Sequence, residues 1–223
     1  MLVNDRLGFM RKLYLVRHME TAWNEQQRYI GVTDLPLSEA GVKNAQLLAE
    51  FLKTKPIKKL FSSQMLRARQ TANFLAKKLN CPLMVEPLLN EINFGCWEGL
   101  TFNEIAAAYG ELSKVWLINP FAVTIPGGEG WDSFVFRVRK GWEKVKKACL
   151  NESVLVTHAG CIKLILSWEL NLELEKGWQI KQDKGAVNIL DLDKEGQAKV
   201  LALNSTAYRR EKTISEGLPW SQQ

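Results

Sequence analysis

The chain is constrained most by short stretches that are apolar at every position. Leu13 to Val16 (LYLV) and Val154 to Val156 (VLV) are strand-length runs with no polar alternation. A strand that is apolar on both faces must be covered on both faces, which is the condition of a parallel sheet sandwiched by helices. Segments of helical periodicity stand between such runs. After Ser38, an N-cap residue, Val42, Ala45, Leu48, Ala49 and Leu52 recur at helical spacing. Lys59–Phe61 and Leu83–Glu86 read as further strands, and Met65–Leu79 as a helix. Phe102–Tyr109 and Ser113–Ile118 read as short helices, Trp131–Leu150 as a long one, and Gly160–Leu170 as another. Val187–Leu192 and Lys199–Leu203 flank Asp193-Lys194-Glu195-Gly196, a hairpin turn. The predicted fold class is α/β, a mostly parallel central sheet with helices on both faces in three layers.

With 223 residues, the chain is expected to form a single domain, 1–223, large enough for a core without staples. Residues from about 204 to 223 read as a polar tail. No apolar run reaches the 18 residues of a membrane span, and MLVNDRLGFMRK lacks the pattern of a secretory leader. The expectation is a cytoplasmic protein with no membrane partner. Its formal net charge of +6 favours anionic ligands. The basic residues form no run interleaved with aromatics, so nucleic acid is not an expected partner. Cys81, Cys96, Cys149 and Cys161 show no zinc spacing and read as reduced thiols. No metal or cofactor is expected. A homo-oligomer is compatible with the sequence.

The chain has two histidines, and each follows a strand candidate directly: LYLV-Arg17-His18 and VLV-Thr157-His158. Ligands of open α/β sheets bind outside the carboxyl ends of the strands. A single such histidine would most simply be structural; two at matching strand ends point to a shared site. Arg17 precedes the first, and Ser62-Ser63 followed by Arg67 lies past another strand. Guanidinium forks match phosphate oxygens, and His158-Ala159-Gly160 opens a helix whose free N–H groups favour the same anion.

Arg17-His18-Met19-Glu20-Thr21 resembles the RHGE[TS] signature of the histidine phosphatase superfamily, the phosphoglycerate mutase-like proteins. The resemblance runs on through Trp23-Asn24, Asp34-Leu35-Pro36-Leu37-Ser38 and the stretch Ser62 to Ala72 (SSQMLRARQTA). Leu89 to Gly99 (LNEINFGCWEG) and Val156-Thr157-His158-Ala159-Gly160 complete it, over roughly 12–203. The resemblance implies His18 as nucleophile, Glu91 as general acid and then base, and Arg17, Asn24, Arg67 and His158 as phosphate-binding residues. It further implies metal-independent hydrolysis of small phosphorylated metabolites through a phosphohistidine.

Two positions depart from the family pattern. Met19 stands where Gly is usual, which would strain a backbone of positive φ or narrow the pocket. Ile30 stands where Gln or a small hydroxyl residue is common, removing one polar contact. Residues 97–130 read as a substrate-side insertion, with Trp97, Trp116, Glu129 and Trp131 as candidates for the substrate mouth. Glu20 and Glu98 read as surface or supporting residues.

Rival phosphatase chemistries fail on residues. Asp191-Leu192-Asp193 approaches a DxDx[TV] nucleophile motif, but Glu195 occupies the Thr/Val position. No Cys is followed six positions on by Arg, two histidines are too few for a binuclear metal site, and GxxxxGK[ST] is absent. A cofactor-dependent phosphoglycerate mutase is the alternative within the family, but only 66 residues separate Glu91 from His158, short of the mutase insertion. Pro126 to Gly130 ahead of Phe134 and Arg137 resembles α-ribazole-5′-phosphate phosphatases, which act in cobalamin nucleotide loop assembly, and also broad-specificity members. A non-catalytic phosphate-binding protein is the second alternative, raised by Met19.

Overall fold

The structure is a computed structural model that describes residues 11–149 and 151–209. Six strands are β1 (Arg11–Arg17), β2 (Lys59–Ser62), β3 (Leu83–Val85), β4 (Ser153–Thr157), β5 (Val187–Leu192) and β6 (Ala198–Ser205). They form one sheet in the order β3-β2-β4-β1-β5-β6. All neighbouring pairs from β3 to β1 are parallel; β5 is antiparallel to both β1 and β6. Among the described residues the α-helices are α1 (Ala22–Glu25), α2 (Glu39–Leu52), α3 (Leu66–Leu79), α4 (Phe102–Ile118), α5 (Trp131–Ala148), α6 (Ala159–Glu169) and α7 (Leu174–Trp178).

The unbroken apolar runs are explained by the two faces of this sheet. Leu13, Leu15 and Leu155 pack on one side against Phe134, Val138 and Trp142 of α5 and Ile162 and Ile165 of α6. Tyr14, Val16, Val154 and Val156 pack on the other against Ala45, Leu48 and Leu52 of α2 and Ala68, Ala72 and Leu75 of α3. Successive residues point to opposite faces, so burial on both sides demands an apolar residue at every position.

Most boundaries follow local chemistry. Ser38 caps α2 through its hydroxyl, which accepts from Gly41 N at 3.2 Å. The two helices expected over 102–118 run on as α4, with a kink at Gly110, where φ is 38°. Helix α5 ends at Ala148, and Leu150, the expected end, lies outside the described residues. Asp193 closes the expected hairpin by accepting Gln197 N at 2.8 Å, so it belongs to a turn and not to a nucleophile motif. The tail expectation is corrected in part. Strand β6 continues to Ser205, and Tyr208 is buried in the α2/α3-side core; residues 210–223 lie outside the described set.

Residues 94–131 build a small third core of Trp97, Ile105, Trp116, Val123 and Ile125 beside the sheet. Its edge-to-face aromatic contacts, such as Trp97–Trp116 with centroids 5.2 Å apart, extend to Tyr29 and Phe94.

Candidate active site

The site grows from strand register. Strands β2, β4 and β1 are adjacent and parallel, with Arg17 opposite Thr157 and Ser62 opposite Val156. Residues just past their carboxyl ends must therefore fall side by side at the strand spacing of about 4.8 Å. His18 and His158 do so, with ring centroids 5.1 Å apart. Ser63, past β2, places its Oγ 2.7 Å from His158 Nε2. His18, Arg17, Asn24 and Glu91 line a cleft of about 270 Å³. Arg67 and His158 are fully buried, and their charges or rings bear directly on His18.

His18 Nδ1 lies 2.7 Å from the carbonyl oxygen of Met19. A carbonyl only accepts, so in the neutral ring Nδ1 carries the proton and Nε2 keeps its lone pair. Burial, followed by the charges of Arg67 and Arg17, holds the His18 pKa well below the usual histidine value. His158 is held low by burial first and Arg67 second. Both rings are thus neutral at pH 7.

The two arginines are anchored without being neutralised. Arg67 donates from Nη1 to Thr33 O at 3.0 Å and from Nη2 to Gly31 O at 2.7 Å. Arg17 donates from Nη1 to Gln182 O at 2.6 Å. Carbonyls orient a guanidinium but leave its charge free for an anion. Arg17 Nε, Arg67 Nε and His158 Nδ1 are buried and have no hydrogen-bond partner among the described residues. Buried polar atoms are rarely left so, and a concentration of them marks a ligand position. Burial pushes the Arg67 pKa down to about 10. Glu98, which read from the sequence as a surface or supporting residue, organises the loop that holds Arg67. Its Oε1 accepts from Gly31 N, Val32 N and Phe94 N, and its Oε2 from Thr33 N and Oγ1.

Asn24 closes a capping box at α1: its Oδ1 accepts from Thr21 N at 3.2 Å and Thr21 Oγ1 at 3.1 Å. The side-chain NH2 is then the group left to donate into the cleft. Glu91 accepts from Gly160 N at 3.1 Å through Oε2 and from its own Ile92 N at 3.2 Å through Oε1. Burial raises its pKa above the usual carboxylate value. Gly160 is required here because a Cβ would come within 2.4 Å of Glu91 Oε1.

Several expectations are corrected by the geometry. None of Trp97, Trp116, Glu129 and Trp131 lines the cleft. Trp97 is fully buried in the third core, Trp116 Nε1 donates to Tyr29 Oη at 3.0 Å, and Trp131 Nε1 donates to Val123 O at 3.1 Å. Glu129 is engaged by a bidentate Arg137, at 2.6 and 2.7 Å. That arginine also donates to the carbonyls of Leu88, Asn90 and Glu91, so the pair braces the backbone that carries Glu91. Met19 neither takes positive φ nor narrows the cleft. Its side chain is buried in the α2/α3-side core, with Sδ 3.6 Å from Tyr208 Oη. Ile30 does line the cleft and offers it no polar group.

Sequence reasoning missed Lys163, Trp178 and Lys184 on the cleft wall. Lys163 was accessible in principle, since three residues past Gly160 places it on the same face of α6. Lys184 sits in the loop before β5 and has no local signature.

A six-stranded, mostly parallel sheet that gathers two neutral histidines and two uncompensated arginines at its strand ends defines a phosphatase of the α/β class. The description "Histidine phosphatase superfamily (branch 1)" matches residues 13–206, and the chain belongs to that family. It is 33% identical over 200 residues to Phosphoserine phosphatase 1 of Hydrogenobacter thermophilus, covering 89% of this chain and 94% of that protein. It is 29% identical to the adenosylcobalamin/alpha-ribazole phosphatase of Salmonella typhimurium, covering 89% and 98%. Among solved structures, Bacillus stearothermophilus YhfR superimposes with a TM-score of 0.81 at 26% identity, over 89% of this chain and 98% of that one. The alpha-ribazole phosphatase from Shigella flexneri does so with 0.78 at 26%, over 87% and 96%.

Proposed function

We propose that the chain hydrolyses phosphomonoesters of small metabolites without a metal, through a phosphohistidine on His18. The observation that carries this reading is the trio of unpartnered buried donors, Arg17 Nε, Arg67 Nε and His158 Nδ1, gathered about a neutral His18. His18 Nε2 attacks phosphorus, the ester P–O bond breaks, and protonated Glu91 gives its proton to the departing oxygen. In the second half, the Glu91 carboxylate takes a proton from water as the water oxygen bonds to phosphorus and the P–N bond breaks. Arg17, Arg67 and the Asn24 amide hold the phosphoryl oxygens throughout, supplying by position and charge what this transfer needs. With Ser63 donating to its Nε2, His158 presents Nδ1–H to the same group.

For the leaving alcohol, the names of the two relatives suggest the serine-derived and ribazole-derived esters, and α-ribazole-5′-phosphate was the expectation from the sequence. Its motif, the glycine-rich 126–130 segment with Arg137, serves the Glu129 brace in this fold, which weakens that particular support. Against a mutase speaks the short separation of Glu91 from His158, 66 residues, and against a non-catalytic binder a cleft that Met19 does not line. The test is turnover of p-nitrophenyl phosphate with excess EDTA. Undiminished release of phosphate is the expected result; complete loss restored by a divalent ion would overturn the reading.

A further inference from the structure

A third cation stands on the rim beside the nucleophile. Strand β5 runs antiparallel to β1, so its amino end lies at the rim where β1 delivers Arg17 and His18. The pairing continues beyond the start of β5: Arg17 N donates to Ala186 O at 3.0 Å and Gly185 N to His18 O at 3.1 Å. Lys184 is the next residue, and it lines the same cleft as His18 and Arg17. The turn at Ala207–Arg209 fixes this loop. Tyr208 Oη donates to Gly185 O at 3.0 Å, and Arg209 Nη2 donates to Lys184 O while pairing with Glu20 at 3.0 Å.

The ammonium has no partner of its own. Lys184 is half-buried, and among the described residues its Nζ makes no ion pair or hydrogen bond. The two carboxylates whose charges reach it are taken, Asp183 by Lys181 at 3.0 Å and Glu20 by Arg209. Burial, then the charge of Arg17, lowers the Lys184 pKa. After Arg67 and Arg17, Lys184 is the next charge to bear on the buried His18 ring. The cleft's other lysine differs, for Lys163 Nζ lies over the Trp178 ring, 4.9 Å from its centroid. A half-desolvated ammonium without a counter-ion is stabilised by an arriving anion. A phosphoryl group in transfer spreads its charge over three oxygens, each open to more than one hydrogen bond, and Ile30 offers none from its part of the cleft. We propose that Lys184 is a catalytic residue whose ammonium binds a nonbridging phosphoryl oxygen beside Arg17 and holds its charge through both halves of the transfer. This rests on the reading of His18 as nucleophile, and it adds a third cation to the arginines that serve it.

The test measures kcat/KM for p-nitrophenyl and n-propyl phosphate, and inhibition by inorganic phosphate, in Lys184→Met and Lys184→Arg. Both esters carry the same phosphoryl group. Lys184→Met is therefore expected to slow both alike, by on the order of ten- to a hundredfold, the scale of a charge-assisted hydrogen bond. The inhibition constant for phosphate rises in the same variant, and Lys184→Arg restores most of both. A second readout uses the native chain: saturating inorganic phosphate is expected to slow acetylation of Lys184 by acetic anhydride severalfold, read by peptide mass mapping. Slowing of n-propyl phosphate alone would assign Lys184 to the alcohol and overturn the proposal. Unchanged kinetics in Lys184→Met, or acetylation that phosphate does not slow, overturns the role of Lys184 alone when a phosphoenzyme is still trapped from p-nitrophenyl phosphate. Absence of any phosphoenzyme overturns the reading of the reaction and the role of Lys184 with it.

Discussion

Two arginines, the buried Arg67 and the half-buried Arg137, show how the two sides of Glu91 differ. Arg67 is held by backbone carbonyls, keeps its full charge, and leaves Nε unpartnered. Arg137 is neutralised by a bidentate carboxylate and spends its remaining donors on three carbonyls. One arrangement stores charge for a ligand; the other spends it on the protein. An arginine in a cleft-forming segment is therefore not informative until its partners are known. The rim of the parallel strands is the proposed reactive side, and the 94–131 segment has an aromatic core of its own.

The sharpest way to break this comparison is to remove each charge. Arg67→Ala is expected to lower kcat/KM by about 10²–10³ on aryl and alkyl phosphates alike, by analogy with loss of one transition-state donor. Steady-state kinetics on p-nitrophenyl and n-propyl phosphate check it. A loss confined to one substrate would assign Arg67 to the alcohol and not to the phosphoryl group. Arg137→Met is expected to act mainly on stability, since it uncovers Glu129 and frees three carbonyls. A loss of about 1–3 kcal/mol in urea unfolding follows from leaving such groups unpaired.

Glu91 sharpens the comparison through pH. Its raised pKa keeps it protonated above the usual carboxylate range, so kcat/KM should fall as pH rises through that pKa. The lowered pKa of His18 keeps its nucleophilic nitrogen free well into acid, and activity falls only as pH drops through that value. Glu91→Gln should remove the basic limb and slow n-propyl phosphate much more than p-nitrophenyl phosphate, whose leaving group needs little proton donation. Equal slowing of the two would make Glu91 a positioning group.

The smallest effect on catalysis is expected at Met19. Its side chain is buried in the core away from the cleft, so Met19→Ala should cost about 2–5 kcal/mol by opening a cavity. Its turnover per folded molecule should stay within about threefold of native, since no catalytic contact passes through the side chain. Denaturant melts beside titrated active-site assays check both halves, and a gain in turnover would restore the view that Met19 impairs the site.

The reactive side was legible in the sequence because its logic is local. A strand ends, a histidine follows, and parallel register places two such ends together; His18, His158 and Arg17 need nothing else. Arg67 was also legible, just past the end of β2, whereas Glu91 required the family resemblance, since it reaches the site from a loop. Along 94–131 the sequence could not separate a tryptophan that lines a cleft from one that fills a core. Trp97 and Trp116 have the same composition and spacing in either case, and only the packing of Ile105, Val123 and Ile125 around them decides. Glu129 reads as a candidate for the substrate mouth until its ion pair with Arg137 is seen. Lys163 went unnoticed because a lysine on a helix is most often solvated, and its burial under Trp178 depends on α7, an element the sequence did not announce.

The central claim is that the neutral His18 ring is the atom-transfer centre of the arginine-rich rim. Rapid quench with a 32P-labelled phosphomonoester, followed by peptide mapping, tests it directly. The account predicts a base-stable, acid-labile label on His18 that forms in the native chain and is abolished in His18→Ala together with turnover. A label on His158, or full turnover by His18→Ala, would contradict it.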